Sequence, residues 1–300
     1  MKKLLAASFM FILMIACTEN QNPQKESEEV TMLKEKIAKF VPVEIQYDET
    51  LLTDREKVVL EKLYRASKII DELFLEQVYS KNNQIKSDLL SKISNKSVLS
   101  EQPELKPQLE LFNIMFGPFD RLEDDEPFIG TDKKPLGANF YPEDMTKEEF
   151  EKWIKQNPQD EKSFTSEFTI IRRKDGKLTA IPYSEYFKDK LTKASNLLKE
   201  AAEFADNPSL KKYLLSRADA FLSNDYYQSD MDWMDLRDHN IEVVIGPYEV
   251  YEDAMFNYKA AFESFVTIKD PVETKKLEVF AKYLNDIEKN LPLDDKHKNY

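Results

Sequence analysis

Carboxylates and phenols crowd one short stretch of this chain. Tyr248, Glu249, Tyr251, Glu252 and Asp253 follow directly on Ile241, Val243, Val244 and Ile245. The β-branched run suits a buried strand. Gly246-Pro247 is expected to end its pairing, because Gly permits unusual backbone angles and Pro lacks an N–H. Acids and phenols packed beside a strand end are what a polar binding site needs. Side chains two apart in an extended segment share a face, which would place Glu249 and Tyr251 together. A helical pattern is also expected from Asp253, with Met255, Phe256, Ala260, Phe262 and Phe265 as its apolar positions. On that second reading the acids merely cap a helix start.

Other acidic groups carry less chemistry. Asp232, Asp235 and His239 have helical spacing within the Asp-rich stretch Asp225–Asp238, but no second His lies nearby. A solvated face accounts for them better than a metal site. Asp124, Asp125 and Glu126 lack the spaced ligands and central Gly of a calcium loop. The chain has one Cys, so neither an internal disulfide nor a Cys-based metal site can form. We expect no metal ligands and no catalytic residue within this chain.

The segment IGPYEVYED, followed by FNYKAAFESFV, resembles the stretch just ahead of the zinc domain in the dipeptidyl peptidase III family, most closely its bacterial lipoprotein branch. Ile245, Gly246, Glu249, Tyr251 and Asp253 fit the pattern Ile-Gly-x-x-Glu-x-Tyr-x-Asp. Phe262, Glu263 and Phe265 fit a following Phe-Glu-x-Phe. Asp232–Leu236 (DWMDL) and Leu136–Trp153 are similar to that branch as well. The resemblance implies a zinc peptidase that releases dipeptides from peptide N-termini. It implies that Glu249 holds the free amino terminus and that Tyr251 positions the scissile peptide, as a transition-state helper once a zinc lobe is present. A carboxylate pairs with an ammonium and a phenol donates to a carbonyl, so the residue types suit those roles. The family's zinc ligands come from a His-Glu-x-x-Gly-His helix and a later Glu-Glu-x-x-x-Asp helix. This chain has only His239 and His297, neither with a neighbouring Glu. Zinc is therefore implied for the full-length family and not for this stretch, which is expected to stop before the zinc lobe.

The first 17 residues read as a lipoprotein signal peptide. Lys2 and Lys3 precede an apolar run, Leu4–Ala16, too short for a helix that spans a bilayer, which takes about 20 residues. Met14-Ile15-Ala16-Cys17 resembles a bacterial lipobox, so Cys17 is the expected lipidation site. The chain would be exported and anchored by lipid to a bacterial membrane. Residues 18–30 are mostly polar and are expected to form a flexible tether. Removing Lys2 and Lys3 with the leader leaves 41 basic against 56 acidic residues, a formal charge near −15. Such a surface argues against nucleic acid as a partner, since that binding rests on Lys and Arg at phosphates. The expected partners are peptide N-termini, the membrane through the anchor, and the missing zinc lobe.

The elements that must position these groups are mostly helices. Met32–Phe40 suits a short helix and Val41–Ile45 a strand weakened by Pro42. Thr53-Asp54-Arg55-Glu56 is a capping box that opens a helix to about Ser80, with Val59, Leu63, Ile70 and Leu73 on its core stripe. Ile85–Ile93 and Leu105–Phe116 suit two more helices. Gly117–Pro142 holds three of the five Gly and four Pro, the mark of a long structured loop. Thr146 caps a further helix. Asp175-Gly176 joins two β-rich runs as a hairpin. Ser184–Ala205 and Pro208–Leu222 are amphipathic helices, and Leu277–Leu291 a last one. The expectation is an α+β, predominantly helical body over residues 31–300, with a small sheet or partial barrel. It would be the N-terminal, substrate-binding lobe of a two-lobed peptidase, inactive alone. A diverged stand-alone peptide-binding lipoprotein is the alternative.

Overall fold

A computed structural model describes residues 27–299. The expected signal peptide, its expected lipidation site Cys17 and the expected tether up to residue 26 lie outside the described residues. The chain opens with α1 (Glu28–Ile37), capped by Ser27, whose hydroxyl accepts from the Val30 amide. Val30 and Leu33 are buried, so residues 28–30 belong to the folded body and not to a tether. Val41–Ile45 forms no strand. It pairs with no strand among the described residues, Pro42 interrupts its donors, and Val41, Val43 and Ile45 are exposed.

The central element is α2 (Asp54–Val78). Both arms of its capping box form: Thr53 Oγ1 accepts from the Glu56 amide, and Glu56 accepts from the Thr53 amide at 2.8 Å. Its stripe Val59, Leu63, Ala66, Ile70 and Leu73 is buried. Helices α3 (Asn82–Ser94), α4 (Lys96–Glu101) and α5 (Leu105–Met115) follow. With α1 they enclose a satellite cluster around Leu33, Leu89, Leu111 and Phe112.

The Gly- and Pro-rich stretch is a loop, as expected, pinched by a two-residue pairing of β1 (Phe119–Asp120) with β2 (Glu126–Pro127). Then come α6 (Lys147–Gln156), capped by Thr146, and the short α7 (Glu161–Phe164). Next is the hairpin of β3 (Thr169–Lys174) and β4 (Lys177–Pro182). Asp175 and Gly176 both hold positive φ, 51° and 74°, as a two-residue turn matched to strand twist requires. The next helices are α8 (Tyr183–Tyr186), α9 (Lys188–Phe204), α10 (Pro208–Ser223) and α11 (Tyr227–Met234). The main core lies between α2, α9, α10 and the last sheet.

That sheet pairs β5 (Ile241–Glu249) antiparallel with β6 (Ala261–Ile268). Two expectations fail here. Pairing does not end at Gly246-Pro247: Gly246 faces Glu263 and Pro247 faces Phe262. Only Tyr248 is skipped, in a register shift between Pro247 and Glu249. A bulge is one place where a strand tolerates proline and glycine. Nor does a helix follow Asp253. Residues 250–260 form a loop, and Phe262 and Phe265 lie on a strand. Phe262 points into the core while Phe265 faces outward. Their three-residue spacing imitates a helix, but β5 offers Ala261–Ile268 a paired edge, and the pairing prevails. The last expected helix is split into α12 (Pro271–Ala281) and α13 (Leu284–Lys289), broken at Lys282-Tyr283.

Candidate functional site

Glu249 is the last residue of β5, on the exposed rim where the sheet opens into the 250–260 loop. Gly246 sets its approach. It holds φ +153°, and a Cβ there would sit 2.7 Å from Nη1 of Arg217. Arg217, from α10, is wholly buried, pairs with Asp230 of α11, and lies against the rings of Tyr213, Tyr226 and Tyr248. The bulged Tyr248 therefore faces inward onto a fixed guanidinium, and Glu249 faces out.

The loop that follows is built on buried charge. Asp253 is fully buried and accepts five hydrogen bonds. Its Oδ1 takes the amides of Met255 (3.1 Å) and Phe256 (3.2 Å). Its Oδ2 takes those of Tyr258 (3.0 Å) and Lys259 (3.2 Å) and the hydroxyl of Tyr141 (2.8 Å). Amides that a helix would bond internally are here turned onto one carboxylate, so Asp253 organises a loop and caps no helix. Lys259 sends its ammonium away, to the carbonyls of Phe164 (2.6 Å) and Ser166 (2.8 Å) and the hydroxyl of Thr169 (2.7 Å). Burial pulls the Lys259 amine down to about 7, against the opposing charge of Asp253. The far end is pinned by Gln77 of α2. Its amide donates to the Ala260 carbonyl and accepts from the Phe262 amide at 2.7 Å.

Glu252 is also buried, and Arg121 (2.9 Å) and Lys134 (2.8 Å) neutralise it. Burial opposes its ionisation, but these two cations prevail and hold its carboxyl below the usual range. Both come from the Gly- and Pro-rich loop, which is thereby fastened to the 250–260 loop. Between them lies a cleft of about 430 Å³, lined by Asp124, Pro127, Lys133, Leu136, Tyr251 and Ala254 among others.

Tyr251 stands at the cleft mouth, 67% exposed. Partial burial, then the charges of Glu263, Glu249 and Glu252, push its phenol up, so it stays a donor at neutral pH. Glu249 and Tyr251 thus share one rim, although a turn and not a continuous strand joins them. Glu263 of β6 is the third member, and sequence reasoning gave it no role. Burial and the charge of Glu249 both raise its carboxyl. Neither Glu249 nor Glu263 forms an ion pair with any described residue. Strand alternation from Phe262 could have placed Glu263 there, had β6 been read as a strand.

The other acids are spread out. Asp232 pairs with Lys212 and bonds to Gln228, and His239 meets Glu242 at 3.3 Å. Among the described residues no three His, Cys, Asp or Glu side chains gather as metal ligands. The donor set for zinc is not formed by these residues, and no step through a metal follows from them.

Residues 146–299 match the sequence model of peptidase family M49. The fold is similar to DPP III from Caldithrix abyssi, with 62% identity and a TM-score of 0.81 over 89% of this chain and 49% of that one. It is similar too to dipeptidyl-peptidase III from Corallococcus sp. strain EGB, with 42% identity and a TM-score of 0.80 over 90% and 49%. Among curated proteins it is 34% identical over 317 residues to Nudix hydrolase 3 of Arabidopsis thaliana, covering 89% of this chain and 40% of that protein. The chain therefore spans half or less of the length of these relatives. On the family match and on folds shared at such identity, the chain belongs to peptidase family M49, as a partial DPP III-like protein.

Proposed function

We propose that this chain supplies the amine-binding side of a zinc-dependent dipeptidyl peptidase. The observation that carries the reading is the imbalance of charge on the rim. Glu252 and Asp253, the acids of the loop, are neutralised or saturated with donors, whereas Glu249 and Glu263 stand together with no cation paired to them among the described residues. A peptide ammonium would meet Glu249 there, relieving the repulsion that raises the Glu263 carboxyl. The Tyr251 phenol, protonated and at the cleft mouth, then donates to a peptide carbonyl. Each charged hydrogen bond contributes about 1.5–3 kcal/mol, roughly a ten- to hundredfold effect on affinity.

Chemistry at the scissile bond belongs to a zinc lobe, as the rest of a longer chain or as a second chain. Cys17 carries the lipid that fixes the protein to a bacterial membrane, with the body exported. Dipeptide release tests the reading: the purified chain alone is expected to hold no stoichiometric zinc and to release no dipeptide. Chelator-sensitive release by this chain alone would overturn it.

A further inference from the structure

β5 changes sides just before Glu249. Residues paired across an antiparallel ladder share a face, and so do residues two apart along one strand. Ile245 and Pro247 therefore share a face with Phe262, and it is the buried one. Unbroken alternation would put Glu249 on that face too. The register shift leaves Tyr248 unpaired and sets Glu249 opposite Ala261, on the face of Glu263. A slip of one residue turns every later side chain over, so the two rim carboxyls share a face because of this bulge.

Arg217 lies where the bulge is held. Its guanidinium is 5.4 Å from the centre of the Tyr248 ring, its charge pairs with Asp230, and the Tyr248 hydroxyl reaches the same carboxylate at 3.4 Å. Stability does not account for a charge in this place. Arg217 is wholly buried, its Nε and Nη1 have no hydrogen-bond partner among the described residues, and the Asp230 side chain is 48% exposed. A buried charge repaid so poorly is commonly replaced by an apolar side chain without loss of stability. An apolar side chain cannot, however, hold an aromatic ring by its face and bind the acid that the ring's hydroxyl also meets.

We propose that Arg217 is a positioning residue: through Tyr248 and Asp230 it fixes the β5 bulge, and so sets Glu249 on the rim face where the peptide ammonium binds. This deepens the reading of Glu249 as the amine carboxylate and rests on it. Being wholly buried, Arg217 acts only through these partners. Burial first, then the charge of Glu249, raise the Glu263 carboxyl, so the titration of Glu263 reports whether Glu249 stands beside it.

The test is Arg217→Met in the full chain, read in two ways. The first is carboxyl-carbon NMR of Glu263 against pH, with no peptide present. The Glu263 midpoint should fall by about half a pH unit or more, and adding Glu249→Gln, which lowers it in the parent, should no longer move it. Loss of a nearby cation alone would raise the midpoint, and a role in stability alone would leave it in place. A rise, no change, or an undiminished response to Glu249→Gln overturns the inference. The second is calorimetry on the chain assembled with a zinc-bearing half. Arg217→Met should weaken a free-amine tetrapeptide roughly tenfold or more and leave its N-acetylated form unchanged. Equal weakening of both, or of neither while Glu249→Gln discriminates in the parent, overturns it. Tyr248→Ser removes the ring and leaves Arg217 paired with Asp230. It should reproduce both results, decides the matter if the Met variant does not fold, and overturns the inference if it behaves as the parent. If Glu249→Gln itself fails to discriminate, the amine reading falls, and the titration still decides whether Arg217 positions Glu249.

Discussion

Asp253→Asn removes one charge and one acceptor from the centre of the 250–260 loop. The carboxylate takes five donors on two oxygens. An amide has a single oxygen. Its best orientation keeps Tyr141, Tyr258 and Lys259 on that oxygen and turns an NH2 group onto the amides of Met255 and Phe256. Two charged hydrogen bonds are lost, at about 1.5 kcal/mol or more each, and two buried donors then face a donor. The three bonds that remain lose their ionic character, and the Lys259 ammonium loses its nearest counter-charge. The expected loss is about 3–5 kcal/mol. Urea unfolding followed by tryptophan fluorescence, with an m-value of roughly 3 kcal/mol/M, should show the midpoint falling by about 1–1.7 M. Amides 255–259 should lose protection in hydrogen exchange before the rest of the body does. A loss below about 0.5 kcal/mol would refute the reasoning, because it would mean that the loop holds its shape without the buried anion.

Gly246→Ala forces a Cβ to within 2.7 Å of the fixed Arg217 guanidinium at a φ of +153°. It should cost on the order of 2–3 kcal/mol in the same urea assay, and a neutral result would mean that the bulge is free to move. Glu263→Gln should stabilise the protein at pH 7 by less than about 1 kcal/mol, since the site is partly solvated. The folded-state carboxyl is raised, so ionised Glu263 disfavours folding. The advantage of the Gln variant should vanish as pH falls through the folded value, and thermal melts at stepped pH check this.

Much of the scaffold was legible in local sequence. Thr53 and Glu56 announce α2 because a capping box needs only four residues, and Asp175-Gly176 announces its hairpin because both positions take positive φ. Asn207 caps α10 by accepting from the Leu210 amide, with Pro208 at its first position, a signal equally local. Local pattern failed where a distant partner decides. The spacing of Phe262 and Phe265 suits a helix, and only the paired edge of β5 makes it a strand. Asp253 reads as a cap because its five donors, one of them Tyr141, are not visible as a motif. The family pattern singles out Glu249 and Tyr251, and strand alternation suggests one side for both, although a turn joins them. Glu263 was not legible as their neighbour, because its place beside Glu249 depends on the β5–β6 register. The buried Arg217 under Gly246 leaves no local trace at all.

The most direct test of the central claim compares a free-amine tetrapeptide with its N-acetylated form, by calorimetry, on the chain assembled with a zinc-bearing half. On the account given, Glu249→Gln weakens binding of the free-amine peptide ten- to hundredfold, roughly 1.5–3 kcal/mol. It leaves the already weak binding of the acetylated peptide unchanged, and Tyr251→Phe slows turnover more than it weakens binding. If Glu249→Gln weakens both peptides equally, or neither, the rim does not hold the peptide amine.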